Sequence, residues 1–138
     1  MKSARVIFEP RRIIAAVRRG NKKVLRRAGA YVRKVARSSV MRADRPSVPG
    51  QPPHSRTGCL KRALLFGVEA RRDAVLVGPA ASIIGSTMAA HEFGGRFRKR
   101  RYPKRPLMGP TLERSQSYLP ALWRDSIKEQ QCTCLLYT

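Results

Sequence analysis

The residue types that could support catalysis in this chain occur at spacings that do not complete a site. His91-Glu92 matches the start of a zinc-protease helix motif, but Gly95 stands where that motif needs its second histidine ligand. The other histidine, His54, lies in a proline-rich stretch. No glycine-rich phosphate loop follows an expected strand, and no Ser/His/Asp arrangement stands out. We therefore expect no catalytic residues and a protein that is not an enzyme.

The cysteines indicate neither a disulfide framework nor a metal site. Cys59, Cys132 and Cys134 are odd in number, and two of them lie in the C-terminal tail. Cys132-x-Cys134 supplies two thiolates, whereas a structural zinc site needs four ligands. With only 8 acidic residues among 30 basic ones, paired carboxylates are also improbable. We expect no metal, no cofactor and a reducing compartment.

A dense basic run with two aromatic residues in it dominates the second half of the chain. Seven of the ten residues from Arg96 to Arg105 are basic: Arg96, Arg98, Lys99, Arg100, Arg101, Lys104 and Arg105. Unpaired charges are expensive to bury, because desolvation costs more than nearby contacts return. The run should therefore face solvent, a partner surface or a polyanion such as DNA.

Composition sets the outer limits of the interpretation. The chain has 138 residues, which predicts one domain over residues 1–128 and a short tail over 129–138. Its formal net charge of +22 is self-repulsive, so nucleic acid or an acidic protein surface is the expected partner. A basic protein with a merely solvated face is the alternative. The chain contains no run of about 18 apolar residues, so the sequence predicts no membrane span. The N-terminus is interrupted by arginines, unlike a secretory signal, although it resembles an Arg-rich transit peptide.

The first half of the chain predicts a long amphipathic helix and a loop. After an extended lead-in over residues 1–9, Pro10 suits a first helical turn, and apolar residues recur at helical spacing to about Met41. Gly20-Asn21 could break this helix, and Gly29 could admit a close neighbour. A membrane-surface helix is the alternative interpretation. The expected buried positions are Ile13, Ile14, Val17, Val24, Leu25, Ala28, Tyr31, Val32, Val35 and Ala36. Residues 42–57 contain four prolines and should form a long loop or arm.

The middle of the chain predicts a hairpin followed by a short helix. Thr57 should be a helix cap or a turn residue before Gly58, followed by a short turn through Lys61. The side-chain alternation over residues 63–70 and 74–79 predicts two antiparallel strands. The secondary structure of residues 80–87 is ambiguous. Ser86 is a candidate cap for a helix from Thr87 to Phe93, ended by Gly94-Gly95.

The last helix should begin near Pro110, and Pro120 should kink or split it. Its expected apolar stripe comprises Leu112, Leu119, Leu122, Trp123 and Ile127. The tail from Gln130 should be frayed or docked on a neighbour.

Three motifs occur in order along the chain and carry a resemblance to a known family. They are Thr57-Gly58-x-Leu60-x-Arg62, then Val77-Gly78-Pro79, then Ala89-Ala90-His91-Glu92-Phe93-Gly94 followed by Arg105-Pro106-Leu107-x-x-Pro110-x-Leu112-Glu113. Over residues 11–128 the ordered set resembles the small head–tail joining, or tail-completion, proteins of long-tailed bacteriophages and prophages. The heavy basic run, Pro120 and the cysteine-containing tail depart from that pattern.

The resemblance implies an α+β fold, with a long N-terminal helix and a C-terminal helix on a small, mostly antiparallel sheet. It also implies a structural virion protein that forms a ring, most often of six subunits, facing the head at the end of the tail tube. Its expected partners are further copies of itself, the tail tube protein, a head-completion or neck protein, and double-stranded DNA in the channel. It would be located in the virion, and in the host cytoplasm during assembly.

The motif residues are expected to have structural roles. Glu92 should form a salt bridge to a nearby arginine, Phe93 should pack in the core, and Gly94-Gly95 should make a turn. The competing hypothesis is a nucleic-acid-binding module of ribosomal or nucleoid type. It is based on the charge and on Phe97 and Tyr102, whose rings could stack on bases.

Overall fold

The computed structural model describes residues 10–124 and residue 126. These residues form an α+β fold, as expected. The elements are α1 (Pro10–Ser39), α2 (Cys59–Ala63), β1 (Leu64–Glu69), β2 (Ala74–Pro79), α3 (Ala81–Ile84), α4 (Thr87–Phe93), β3 (Gly95–Phe97), β4 (Arg100–Tyr102) and α5 (Met108–Gln116). A further helical segment covers 119–124. The lead-in over 1–9, Ile127, Cys132, Cys134 and the tail from Gln130 lie outside the described residues.

Helix α1 is the scaffold on which β1, β2 and α5 pack. It begins at Pro10, as expected, and its 30 residues span about 45 Å at 1.5 Å per residue. The break expected at Gly20-Asn21 is wrong: the helix continues, and Trp123 Nε1 donates to Asn21 Oδ1 at 3.0 Å. That contact secures the helix where its sequence is weakest.

The apolar stripe of α1 is buried only over part of its length. Its buried apolar residues are Val24, Leu25, Ala28, Val32 and Ala36. Ile13, Ile14 and Val17 are exposed, so the stripe predicted from spacing alone is wrong there. The turn between β1 and β2 lines one pocket with Arg18 and Leu25 of α1, and the exposed Ile13, Ile14 and Val17 precede these residues in the helix.

The β1–β2 hairpin has the predicted antiparallel pairing, with Leu64 opposite Pro79 and Glu69 opposite Ala74. It packs against α1 at Gly29, where a Cβ atom would lie 2.6 Å from side-chain carbons of both Phe66 and Val75. The predicted close approach at Gly29 is therefore confirmed. Arg33 strengthens the contact, because its Nε donates to the Leu64 carbonyl at 2.7 Å.

A small apolar core lies at the C-terminal end of α1. It consists of Ala36, Val40, Leu60, Leu64 and Leu107, which come from three separate stretches of the chain. The loop between α1 and α2, residues 42–57, has no helix or strand, as expected. The short turn expected to end at Lys61 is a longer element, helix α2, which places Leu60 in this core.

Helix α4 has the predicted bounds but not the predicted cap bond. Ser86 occupies the cap position without a side-chain hydrogen bond, and Thr87 Oγ1 instead donates to the Ile84 carbonyl at 2.8 Å. Gly94 and Gly95 have φ of 74° and 120°, so they form the expected turn.

Helix α5 is rotated relative to the expected apolar stripe. Its buried residues are Thr111 and Ser115, while Leu112 is exposed, so the expectation for Leu112 is wrong. The two hydroxyls donate to the carbonyls of Leu107 and Thr111, four residues earlier, which removes the cost of burying them. The helix ends at Gln116 and helical structure resumes at 119–124, consistent with the split expected at Pro120.

Candidate functional site

A single carboxylate joins the two halves of the third sequence motif. Glu92, at the end of α4, accepts hydrogen bonds from the backbone N–H groups of Leu107, Met108 and Gly109 at 2.7, 3.1 and 2.9 Å. These are unpaired donors at the start of α5, where the helix dipole also favours negative charge. In the described part of the chain, the partners of Glu92 are thus backbone amides rather than the expected arginine. The free N–H groups of a helix start bind a carboxylate without a second side chain.

Arg105 strengthens the same junction from the other side. Its backbone N–H donates to the His91 carbonyl at 2.6 Å, and its Nε donates to the Ser47 carbonyl at 2.8 Å. Next to it, the Gly50 N–H donates to the Lys104 carbonyl at 2.8 Å. The long loop, the end of the basic run and α4 are therefore connected. Arg105 is an internal anchor, unlike the other basic residues of the run.

The His91 ring lies inside this junction. It meets the Tyr102 ring edge-on, with centroids 5.2 Å apart, and its Nδ1 is buried without a hydrogen-bond partner in the described residues. Burial lowers the pKa of His91 below its usual range, and the neighbouring charge of Arg105 lowers it further. Both causes favour the neutral imidazole. The ring therefore packs as a mainly apolar group at the base of the β3–β4 hairpin.

Phe93 does not pack in the core, and that expectation is wrong. Its side chain is 79% exposed, although it follows the buried Ala90 by three residues. Helix α4 ends at Phe93, and the chain reverses at Gly94 into β3, so no described element covers the ring. An exposed phenylalanine beside the basic run is the clearest departure of this region from an ordinary solvated surface.

The basic run folds into the β3–β4 hairpin, which the sequence did not predict. Gly95 pairs with Tyr102 and Phe97 with Arg100, leaving Arg98 and Lys99 as a two-residue turn. The exposed basic side chains are Arg96, Arg98, Lys99, Arg100, Arg101 and Lys104. Their predicted exposure is confirmed, except for the half-buried Arg105.

The turn of this hairpin keeps a charged residue where local geometry favours glycine or asparagine. Arg98 has φ of 54°, a conformation that is uncommon for residues with a large side chain. Its guanidinium lies 5.5 Å from the centroid of the Phe97 ring, within cation–π range. Phe97 in turn contacts Tyr102, with ring centroids 6.4 Å apart. The two aromatic residues of the run thus pack on each other beneath the charges.

The first two motifs have structural positions near the core. Gly58 has φ of 75° before α2, and Leu60 is buried. Thr57 Oγ1 accepts a hydrogen bond from the Cys59 N–H at 3.4 Å. Hydrogen bonds to Thr57 and then to Arg62 lower the pKa of the Cys59 thiol.

The remaining motif residues also surround the core. Gly78 and Pro79 close β2 opposite Leu65 and Leu64. Leu107 is fully buried, while Pro106 and Pro110 are half-buried around it.

The described residues contain no cluster of three or more His, Cys, Asp or Glu side chains that could hold a metal ion. None of their helices combines the length and the apolar character needed to cross a membrane. Cys132 and Cys134 lie outside the described residues.

Comparison with protein-family models, with curated protein sequences and with solved structures gives no match for this chain. Functional inference therefore depends on the geometry of the chain itself and on the ordered motifs of its sequence.

Proposed function

We propose that this chain is a structural subunit of a bacteriophage neck. In this proposal, several copies form a ring, most simply a hexamer, that completes the tail and joins it to the head. The ring contacts the tail tube protein on one side and a head-completion or neck protein on the other, and genomic DNA passes through its channel. The protein has no catalytic role and is located in the virion.

The observation that carries this proposal is the Glu92 contact. The motif around His91-Glu92 and the motif around Arg105-Leu107 are separated in sequence, yet Glu92 binds three backbone amides at 107–109 and Arg105 binds the His91 carbonyl. Residue types that make such specific contacts across a loop are expected to occur together. The geometry thus supports the resemblance that the ordered motifs suggest, because it gives those motifs one shared structural purpose.

The outer face of the β1–β2 hairpin supports self-association. Leu65 and Leu76 are 43% and 66% exposed on the side facing away from α1. In the described residues this sheet has only two strands, so both of its edges lack a strand partner. Isolated two-stranded sheets are marginal, and exposed edges and apolar faces are natural association surfaces. A head-to-tail contact through such a face closes into a ring when its rotation allows.

The charge distribution supports a polyanion in the assembled state. A ring multiplies the +22 charge of each copy, which is strongly unfavourable without compensating anions. The six exposed cations of the basic run, five of them in the β3–β4 hairpin, can contact phosphates as point charges without reading bases. Such contacts suit DNA that must slide past the protein.

A nucleic-acid-binding module is the second candidate, and the exposed Phe93 ring favours it. An exposed aromatic side chain beside arginines is a stacking platform for unpaired bases. Phe97 and Tyr102 favour it less than the sequence suggested, because they contact each other and the His91 ring. This candidate predicts a small unit that binds single strands with high affinity, whereas the ring predicts a larger assembly.

The two candidates separate by mass and shape. Six copies of a 15.5-kDa chain amount to about 93 kDa. Light scattering and negative-stain imaging of the purified chain, with and without duplex DNA, should show a closed ring. Leu76→Asp should prevent its formation, because a carboxylate would be placed in the proposed contact. Met41→Asp, at a residue 63% exposed but outside the hairpin, is the matched control and should still assemble. A monomer at all concentrations, with or without DNA, would contradict the proposal.

A further inference from the structure

Three cationic side chains meet at one pocket between α1 and the turn that connects β1 to β2. Arg18 and Lys22 lie one helical turn apart, so they project from the same face of α1. Arg71 comes from the turn. The pocket has a volume of about 400 Å³ and is separate in sequence from the basic run between Arg96 and Arg105.

These cations form no ion pair within the part of the chain that the structure describes. None of Arg18, Lys22 and Arg71 forms a hydrogen bond or ion pair there. The nearby acid Glu69 is already used by Arg72, with 3.5 Å between Arg72 Nε and Glu69 Oε1. Like charges gathered at one site repel each other, so their convergence favours an anion between them.

The lining of the pocket combines these charges with apolar walls. Leu25 is 5% exposed, and Val68 is half-buried beside it. A volume of several hundred cubic ångströms lies within the range of ligand sites, and here charged and apolar side chains line it together. One carboxylate, Asp73, also lines the pocket, so its charged lining among the described residues, three cations and this acid, has a net charge of +2.

We propose that this pocket binds a phosphate group. Two positive charges in excess match a phosphate dianion, or successive phosphodiesters of one backbone, and guanidinium groups bind phosphate oxygens in a bidentate manner. The phosphate belongs either to a nucleic-acid backbone or to a small phosphorylated compound. The pocket does not depend on ring formation, so the inference stands apart from the proposed function. It also differs from the basic run, because it lies on other elements.

Two matched sets of variants test the pocket. The first replaces Arg18, Lys22 and Arg71 by Gln. Its control replaces two arginines and one lysine outside the pocket, Arg37, Arg45 and Lys34, also by Gln. All three control residues lack a side-chain partner among the described residues, and both sets lower the net charge by three.

The second set changes a single charge. Asp73→Asn removes the one carboxylate that lines the pocket among the described residues, and Asn tolerates the backbone conformation of this residue, with φ of 47°. Asp44→Asn, at an exposed residue in the long loop, is its control.

The experiment measures binding of two probes, pyrophosphate by calorimetry and a 12-base-pair DNA duplex by fluorescence anisotropy, at several salt concentrations. We expect the pocket triple variant to lose about tenfold more affinity than its control, and Asp73→Asn to gain about threefold relative to Asp44→Asn. Unfolding midpoints check that the triple variant is folded, and Asp73→Asn keeps the test valid if it is not.

The two probes also identify the source of the phosphate. Effects on the duplex alone assign the pocket to a nucleic-acid backbone, and effects on pyrophosphate, with or without the duplex, assign it to a phosphate group as such. Equal losses in the pocket and control variants for both probes, together with no gain from Asp73→Asn, would overturn the proposal.

Discussion

The two hairpins of this chain have the same topology and opposite chemistry. The β1–β2 hairpin has six-residue strands whose inner face packs on α1 around Gly29, and whose outer face exposes leucines. The β3–β4 hairpin has three-residue strands, exposes five cations, and is held at its base by His91 and Arg105. The first hairpin derives its stability from burial, while the second depends on anchors outside its own strands. Mutations can therefore change the packing of the first hairpin on α1 and the exposed charges of the second hairpin independently.

The largest effect should come from filling the contact between α1 and the first hairpin. Gly29→Val should lower the free energy of unfolding by about 3 kcal/mol, because its Cβ would lie 2.6 Å from Phe66 and Val75 atoms that cannot both move away. Ala30→Val, at the exposed neighbouring position, is the control and should cost about 0.5 kcal/mol. Denaturant unfolding measures both. Equal costs for the two variants would show that the contact is loose.

The next largest effect should come from the anchor of the second hairpin. Glu92→Ala should lower the free energy of unfolding by about 2 kcal/mol, because three backbone amides lose their charged acceptor. Hydrogen exchange should show the loss locally, at the first turn of α5. Glu113→Ala, at an exposed residue of α5, is the control and should lower the free energy of unfolding by less than about 0.5 kcal/mol. A similar loss of stability in both variants would contradict this role of Glu92.

A smaller effect should appear as a pH dependence of stability. Burial and then Arg105 lower the pKa of His91 in the folded chain, so the unfolded chain binds more protons below pH about 6.5. The contribution of His91 to stability is therefore fully present above that pH and decreases as the pH falls toward the folded pKa. His91→Gln should show a shallower decrease in unfolding free energy between pH 6.5 and pH 5 than the wild type. Identical slopes for the two proteins would contradict this role.

The smallest effect on stability should come from the tip of the second hairpin, although its functional effect should be large. We consider a variant with Arg98→Asn, Lys99→Gln, Arg100→Gln and Arg101→Gln. Its free energy of unfolding should lie within about 0.5 kcal/mol of the wild-type value, because these side chains are exposed. It should nevertheless fail in virion assembly or in retaining DNA. Thermal unfolding and packaged-DNA measurements check the two halves of this prediction. Loss of folding would show that the charges are structural.

The sequence predicted helices and strands well where the periodicity of apolar residues agrees with the positions of proline and glycine. Pro10 begins α1, the alternation over 64–69 and 74–79 gives a real hairpin, and Gly94-Gly95 end α4. Periodicity failed at Ile13, Val17 and Leu112, because spacing shows that a face is apolar but not whether another element covers it. The β3–β4 hairpin had no signal, since an arginine occupies its turn at positive φ.

The candidate site was predicted in part. The sequence identified Glu92 and the segment that follows Arg105, but it predicted an arginine as the partner of Glu92. The actual partners are backbone N–H groups at the start of α5, and every residue except proline has such a group, so no residue type marks them. The bond from Arg105 to Ser47 joins residues 58 positions apart and has no sequence pattern. The pocket at Arg18, Lys22 and Arg71 depends equally on tertiary structure, because the sequence shows only scattered basic residues.

The proposed function can be tested most directly by cryo-electron microscopy of phage particles released from the cells that encode this chain. Mass spectrometry of the same particles establishes whether the chain is present. The account predicts a ring of this chain between head and tail, with β1–β2 hairpins at the subunit contacts and basic residues toward the DNA. Particles that lack the chain, together with a purified protein that remains monomeric with DNA, would contradict it.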